Sequence, residues 1–557
     1  MSPSSPAIVS AASAQRLPRW VLLLLGLLYI APGLLGREAW KPIDGTSVGI
    51  MLDLAQGHAD WWAPSLLGQA VGEAAWLPYW LGAWAIQALP GLDPVTASRL
   101  PLAAALALTL VGTWNTAFSL ALQRTAQPVA FAFGGHAEPV AYARAVADTA
   151  LLALLACLGL AVMGHEASPH PYAMAASAWL LHAGAQAQRQ ARLDWRWGLR
   201  WLLPTLALMA SGAPGTAVAL AAWAARPASG AALRQAQSPT REWTRWALQS
   251  LLVLGLYLGL DWPHDTGQPP LGAVSHLWNA LKATAWQAWP AWPLALLGLW
   301  AWRRHLRTPH IAVPLGAALL LWLSALAHAT PARQMLPLLT ALAPLAGLAV
   351  PTIRRNALAL VDWLALLMFS LCGLVIWVYG LAMATGWPAA AARAVERLLP
   401  ALDTSPTPLA WALACVVTGL WLWAIRWRTR AHRVALWKGL VLSATGTTWC
   451  WALLMSIWLP PLNHGMGFDR LAQRIQSIAA AERCAYSVGL PPALNAALLR
   501  AGLRPEIEAR GATTCDALIT TPDSDLSATD AAAWQPVASL WQVDQRADPV
   551  LIYRRRP

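Results

Sequence analysis

The stretch between residues 37 and 80 holds the residue types that can do chemistry in an otherwise apolar chain. It follows the first apolar run and is the longest polar-containing interruption in the N-terminal half. Its acidic and basic residues lie beside five tryptophans and a tyrosine: Arg37, Glu38, Lys41, Asp44, Asp53, Asp60 and Glu73. Ionisable residues among membrane spans are costly and mark functional sites. We expect this stretch to form one wall of a site at the far face of a membrane, opposite the cytoplasm.

Three further loops are predicted to reach the same face. They contribute His165 and Glu166; His264, Asp265, His276 and Lys282; and His328 and Arg333. A carboxylate can take a proton from a hydroxyl group, arginine or lysine can bind a phosphate, and tryptophan can stack on sugar or prenyl carbons. The combination suits a lipid-linked anionic substrate. The sequence contains no Walker loop, GxSxG, HExxH or paired CxxC motif.

The composition is that of a membrane protein. The 557 residues are 57% hydrophobic and 12% charged, whereas soluble domains carry about 25% charged residues. The net charge of +13 comes from arginines in short loops between apolar runs, which the positive-inside rule predicts, and nucleic-acid binding is disfavoured. Residues 20–36 read as an uncleaved signal anchor.

The apolar runs predict a mainly α, polytopic fold. Runs long enough to cross a bilayer, whole or broken, occur near 20–36, 100–121, 147–164, 171–187, 198–225, 246–261, 289–302, 311–328, 335–351, 361–383, 408–425 and 439–459. Gly and Pro at 211–215 predict a break that splits 198–225 into two short spans. The Trp-rich run 73–90 is predicted to lie in the interface without crossing. About thirteen crossings follow, with the N-terminus cytoplasmic and the C-terminus outside.

The chain changes character after residue 460. We predict a transmembrane domain over 1–460 and a small soluble α/β domain over 461–557, since helix-like and strand-like runs alternate there. Cys484 and Cys515 fall in this second part. They could form a disulfide if it lies outside the cytoplasm, for example in a periplasm, but the sequence leaves their state open.

The order of several motifs resembles the GT-C, family 39 glycosyltransferases, the aminoarabinose and protein O-mannosyl transferases. The resemblance covers most of residues 20–350 and rests on WKPIDGTSVG, GHADWWAPSLLGQ, LPYWLGAWAI, ASRLP, GHEAS, LMASGAPG and ATPARQMLPLLTALAPLAGL. It implies a GT-C fold in a bacterial inner membrane. It also implies transfer of a sugar from a polyprenyl-phosphate donor to lipid A, protein or glycan on the periplasmic side.

The resemblance also implies roles for individual residues. Asp44 would deprotonate the acceptor hydroxyl, with Glu166 as a second catalytic residue. Substrate binding would involve Lys41, Glu73, His165 and Arg333. Arg333 and Lys41 would stabilise the phosphate, and Glu73 and Glu166 would orient the acceptor or hold a divalent metal ion. Asp148 also matches an acidic position, but the predicted topology puts it on the cytoplasmic side.

The chain departs from the family pattern at three places. Ile43-Asp44-Gly45 replaces an Asp-Glu pair after Pro42, and residues 73–76 (EAAW) replace Glu-Lys-Pro-Pro. Ser211 stands near the place of a second missing lysine. Each lost charge-assisted contact is worth about 1.5–3 kcal/mol. Either the donor differs, or Lys41, Lys282 and Arg333 substitute, or the site is inactive. The alternative function is a degenerate membrane scaffold or a lipid-binding, flippase-like protein, although the sequence shows no internal repeat of a transporter.

Overall fold

The protein is described from a computed structural model. The structure describes residues 5–189, 194–227, 239–263, 274–328, 331–400, 402, 406–430, 435–479, 484–507, 515–524, 533–543 and 548–556. The predicted site residues His264 and Asp265 lie outside these ranges.

Helices make up most of the described chain. They are α1 Arg19–Ile30, α2 Ile43–Ala55, α3 Leu77–Ala88, α4 Pro94–Ala121, α5 Pro139–Leu155, α6 Leu158–Met163, α7 Pro169–Ala187, α8 Trp195–Ala210, α9 Pro214–Ala225, α10 Pro239–Gly259, α11 Val274–Gln287, α12 Ala291–Ala301, α13 Pro309–Leu326, α14 Pro331–Gln334, α15 Leu339–Ala349, α16 Arg355–Thr385, α17 Ala389–Leu398, α18 Pro408–Arg430, α19 Lys438–Leu454, α20 Leu459–Met466, α21 Asp469–Ala479 and α22 Pro492–Arg500. The predicted mainly α fold is confirmed.

Several helices are long and apolar enough to cross a membrane. Within the described residues, five candidate spans satisfy both conditions: Pro94–Ala121, Pro309–Leu326, Ala332–Thr352, Ala357–Thr385 and Pro408–Thr429. The α19–α20 pair, bent by 71°, would make a sixth. The chain is therefore a multi-pass membrane protein, and the count of about thirteen crossings stays a prediction.

Two irregular features match the sequence. Helix α8 ends at Ala210 and α9 begins at Pro214, so the helix breaks where Gly and Pro predict it. Gly212 has a φ of +85° in this turn, which favours glycine. Helix α3 is 12 residues long, or about 18 Å, which is shorter than a bilayer core of about 30 Å; the interfacial position of the run 73–90 stays a prediction.

The ends of α1 and α19 define two faces of the bundle. Just before α1, the Leu17 N–H donates to Asp148 (2.9 Å). The Trp437 ring, just before α19, donates to the Gln15 carbonyl (2.7 Å). After both helices, Trp40 Nε1 donates to Asn463 Oδ1 (3.0 Å). We call the end with Trp40 the site face and the end with Asp148 the opposite face.

The C-terminal part contains the expected sheet. Strands β1 Ala485–Val488, β2 Ala517–Thr520, β3 Trp534–Leu540 and β4 Val550–Arg555 form a sheet in the order β1-β2-β4-β3. Strands β1 and β2 are parallel, joined through α22, and the other pairs are antiparallel. A disulfide joins Cys484 and Cys515, which settles the open question about these cysteines. Helix α22 packs closely on α2. The approach is so close that a Cβ added at Gly49 would lie only 2.4 Å from the Ala496 Cβ.

Candidate functional site

Asp44, in the first turn of α2, is a fully engaged and buried carboxylate. Its Oδ2 accepts from Arg37 Nη2 (2.8 Å), Arg99 Nη2 (2.9 Å) and the Trp40 N–H (3.1 Å), and its Oδ1 accepts from the Ala167 N–H (2.7 Å). Only 2% of Asp44 is exposed. Burial alone would raise the pKa of this carboxyl, but Arg99, Arg37 and the Ala167 N–H together hold its pKa well below the usual range. Asp44 is therefore ionised.

Arg37 and Arg99 tie the two predicted acidic loops together. Arg37 Nη2 also donates to the His165 carbonyl (2.9 Å). Arg99 Nη2 donates to the Glu38 carbonyl (2.8 Å), and its Nη1 donates to the Arg37 carbonyl. Sequence reasoning overlooked Arg99 as a site residue. The signal was present, because an arginine one turn inside the apolar helix α4 is costly unless it has a partner.

His165 is buried in the wall behind Asp44. Its Nδ1 lies 2.8 Å from the Ala161 carbonyl oxygen and its Nε2 lies 3.0 Å from that of Tyr29. Burial, and then the charge of Arg37, lower its pKa to about 3, so the ring is neutral and donates from one nitrogen only. With 2% of the residue exposed, His165 holds α6 against the end of α1.

Glu166 and Arg333 form a two-pronged ion pair between the loop before α7 and the short helix α14. Arg333 Nε donates to Glu166 Oε2 (3.0 Å) and Arg333 Nη2 to Oε1 (3.3 Å). The side chains are 15% and 22% exposed, respectively, and are thus more open than Asp44. Since Glu166 precedes Ala167, whose N–H binds Asp44, the pair is adjacent to the buried carboxylate.

Glu73 borders a narrow pocket of about 10 Å³. Its Oε2 lies 3.7 Å from His170 Nε2. The pocket is lined by Glu73, Ala74, Pro169, His170, Ala173, Ser211, Gly212, Ala213, His328 and Gln334. It thus joins the first polar loop, the start of α7, the α8–α9 turn and the residue after Arg333.

The α8–α9 turn touches the Glu73 segment through backbone. The Trp76 N–H donates to the Ala210 carbonyl (2.8 Å). A Cβ placed on Gly212 would lie only 2.3 Å from the Ala74 carbonyl oxygen. A residue with a side chain at 212 would therefore separate these two segments.

A second cavity, of about 650 Å³, shares Gly212, Ala213 and His328 with the narrow pocket. It lies among α9, the end of α10 and α13. Its lining is apolar with a few polar side chains: Ala219, Leu258, Leu260, Trp262, Leu320, Leu323, Thr216, Tyr257, Asp261, Ser324 and His328. Size and lining are those of a ligand site, since ligand pockets run from about 300 to 1,000 Å³.

Two solved structures share this architecture over nearly the whole chain. One is ArnT from Cupriavidus metallidurans bound to undecaprenyl phosphate, with 14% identity, a TM-score of 0.59, and coverage of 96% of this chain and 98% of that one. The other is the same protein in the apo state, with 15% identity, a TM-score of 0.55, and coverage of 96% and 97%. This chain has the ArnT fold. The GT-C fold expected from the motif order is thereby confirmed.

The likeness to ArnT is found in the structure and not in the sequence comparisons. No family model matches the chain, and no curated protein sequence matches it. At 14–15% identity the resemblance to ArnT is one of fold, and the family 39 motifs stay a prediction.

Lys41 contacts the C-terminal part of the chain. Its Nζ donates to Gln542 Oε1 (2.6 Å) and lies 5.0 Å from the centre of the Phe468 ring. Both partners belong to the C-terminal part of the chain. Lys282, the other cation expected to substitute for missing lysines, is exposed and lies 5.3 Å from the Trp278 ring.

Asp44 and Glu166, in the described part of the site, are paired with arginine rather than arranged around an ion. Among the described residues, no group of three or more His, Cys, Asp or Glu side chains is placed to hold an ion. Glu166 is paired with Arg333 and Asp44 with two arginines. The side chains present thus do not fit a divalent metal, and no chemical step is derived through one.

Proposed function

We propose that this chain is a glycosyltransferase that moves a sugar from a polyprenyl-phosphate donor to an acceptor hydroxyl at the periplasmic face of a bacterial inner membrane. The observation that carries the proposal is the meeting of Glu73, the Glu166–Arg333 pair and the α8–α9 turn beside a cavity of about 650 Å³. The ArnT fold supports it, because ArnT has been solved bound to undecaprenyl phosphate. The family 39 motif order supports the same reaction.

The donor would occupy the larger cavity. Its prenyl chain would lie against the leucines of α10 and α13, and its phosphate would approach the end shared with the narrow pocket, at His328. Arg333 is the proposed phosphate-binding cation. Glu166 engages Nε and Nη2, which leaves Nη1 outside that pair. A fixed guanidinium there would stabilise the charge that develops on the departing phosphate.

Two carboxylates compete for the role of general base. Asp44 is our proposed base, acting through Oδ1, which carries fewer of its contacts than Oδ2. Because Asp44 is 2% exposed, an acceptor must first displace the loop that carries Ala167. Glu73 is the alternative base, favoured by its 17% exposed side chain at the pocket.

Lys41 and His165 receive supporting roles in this proposal. Lys41 is held by Gln542, so we propose Arg333 alone as the donor-phosphate cation. Both ring nitrogens of His165 face backbone carbonyls, and we therefore propose that it positions the Glu166 loop without contacting substrate. Lipid A, protein and glycan all remain candidate acceptors.

The test is release of polyprenyl phosphate by the full chain in proteoliposomes with lipid-linked sugars and candidate acceptors. Arg333→Gln should lower donor affinity at least about tenfold, as expected for a lost charge-assisted contact. Arg397→Gln on the exposed helix α17 is the matched control. Asp44→Asn should lower kcat by about 10²-fold or more, whereas Glu73→Gln should mainly raise KM. The reverse pattern would move the base to Glu73. Retention of polyprenyl phosphate without turnover for any donor and acceptor would instead favour the lipid-binding scaffold.

A further inference from the structure

A third cavity, with charged side chains in its wall, opens at the opposite face of the bundle. It has a volume of about 330 Å³ and lies among the start of α16, the end of α18 and the start of α19. Its lining combines a charged part with an apolar part: Asp362, Arg428, Thr429 and Lys438, and Ala359, Trp363, Leu366 and Leu442. None of these residues belongs to the candidate active site, which lies beyond the other end of α19.

The charged lining carries a net positive charge. Asp362 accepts from Arg428 Nη2, and Lys438 lies close enough to act on the same carboxylate. Two cations and one anion leave an excess of +1. The excess favours an anion.

The ion pair is also incompletely satisfied. The Asp362 side chain is 9% exposed, yet among the described contacts its Oδ1 has no hydrogen-bond partner, and Arg428 Nε has none either. Buried polar groups without a partner are rare and call for an explanation. A ligand that satisfies both atoms must offer an acceptor to Arg428 and a donor to Asp362.

The helices around the cavity expose apolar surface of the kind that faces lipid in a membrane protein. α16 and α18 are the least buried of the candidate spans, with 28% and 17% of their most apolar stretches buried. Asp362 is two turns, or about 10 Å, from the start of α16, so it lies near one end of this candidate span. Trp363 at the cavity wall is 63% exposed, as is common for tryptophan at a membrane interface.

We propose that this cavity binds the headgroup of an anionic glycerophospholipid of the leaflet opposite the active site. The phosphate would accept from Arg428 Nε and the Lys438 ammonium group, and a headgroup hydroxyl would donate to Asp362 Oδ1. Phosphatidylglycerol offers both groups and a charge of −1, which balances the excess. The acyl chains would run along Trp363, Leu366 and Leu442.

The test is lipid binding to the delipidated full chain, measured by native mass spectrometry during titration with phosphatidylglycerol. Lys438→Gln should weaken binding about tenfold. Asp362→Asn should bind phosphatidylglycerol as tightly as wild type or more tightly, because the cavity then carries +2. Arg303→Gln removes an exposed cation near the start of α13, outside the cavity, and should bind as wild type does.

The opposite responses of Lys438→Gln and Asp362→Asn distinguish a lipid site from a purely structural ion pair. Equal loss of lipid in both variants, or wild-type binding by Lys438→Gln, would overturn the proposal. Thermal unfolding of each variant shows whether a loss of binding comes from a loss of folding. Arg428→Gln is unsuitable as a test because it would leave the buried Asp362 carboxylate without its arginine partner. Millimolar inorganic phosphate should not displace the lipid, and phosphatidylethanolamine should bind more weakly. Displacement by phosphate would assign the cavity to a free anion and overturn the lipid assignment.

Discussion

Replacement of Asp44 by asparagine separates the structural role of this carboxylate from its chemical role. Asp44 is the single negative charge between Arg37 and Arg99, and both guanidinium groups are about 1% exposed. Asp44→Asn keeps the size of the side chain but changes the local charge from +1 to +2. Two buried arginines then face each other without the carboxylate that both of them bind.

The expected cost is large because the charges are buried. Removing one partner of a buried ion pair costs about 3–5 kcal/mol, so Asp44→Asn should lower the free energy of unfolding by that amount. Arg37→Met should be destabilising too, but in combination with Asp44→Asn it returns the local charge from +2 to the wild-type value of +1. We therefore expect the double variant to be at least about 1 kcal/mol more stable than the sum of the single effects predicts.

The pH dependence has a defined sign. The pKa of Asp44 in the folded chain is lower than its value of about 3.9 in an unfolded chain. The stabilisation is therefore fully present above about pH 4 and is lost as pH falls through the lowered pKa. Between pH 5 and 8 the effect of Asp44→Asn should not change with pH.

The assay is thermal unfolding of detergent-solubilised wild type, both single variants and the double variant, alongside sugar transfer. A stable Asp44→Asn protein that has lost only transfer would show that the two arginines do not depend on the carboxylate. Strict additivity of the two substitutions would likewise refute the buried-triad reasoning.

Three other substitutions test the support around the site. Arg504→Gln leaves the fully buried Asp53 without its 2.5 Å partner, so the melting temperature should fall by several degrees. Arg474→Gln, at an exposed position of α21, is the control, and an equal effect of both would count against the pair. Burial, and then a neighbouring carboxylate, raise the pKa of Glu38 to about 7, above about 4.3 in an unfolded chain. Stability should therefore decrease as pH rises from about 4 to 7, and Glu38→Gln should abolish that decrease in a thermal-shift titration. Gly212→Ala places a Cβ 2.3 Å from the Ala74 carbonyl oxygen at a φ of +85°, so transfer should fall sharply. Gly198→Ala in α8, whose Cβ would meet open space, should remain active, and wild-type transfer by Gly212→Ala would show that the contact is not needed.

The sequence was most informative where local chemistry decides local structure. The five residues from 211 to 215 contain two glycines and a proline, a density that favours a break, and the break is present. The alternation of polar helices and short strands after residue 460 likewise produced the observed sheet. Span counting was harder, because helices such as α12, with 11 residues, are too short to be judged by length and hydropathy alone.

The candidate site was less predictable because its partners are distant in sequence. The convergence of the Asp44 and Glu166 loops follows from motif order, but the bond that joins them runs through the backbone of Ala167, which no side-chain pattern reveals. Arg99 lies within the apolar candidate span Pro94–Ala121, so the surrounding sequence does not mark it as a site residue. Lys41 was expected at a phosphate, yet it pairs with Gln542, 501 positions away. Such a contact depends on how the C-terminal part docks.

That docking makes the C-terminal part a structural component of the membrane site. Helix α2 carries Asp44 at one end and Asp53 at the other, and Asp53 pairs with Arg504. Gly49 of α2 allows α22 to approach closely. Asn463 binds Trp40, whose N–H in turn donates to Asp44. In the role proposed for it, Asp44 would need its supporting residues held to within about 0.5 Å. In this chain part of that support comes from beyond residue 460, and separating the predicted domains at that boundary would therefore disturb Asp44 itself.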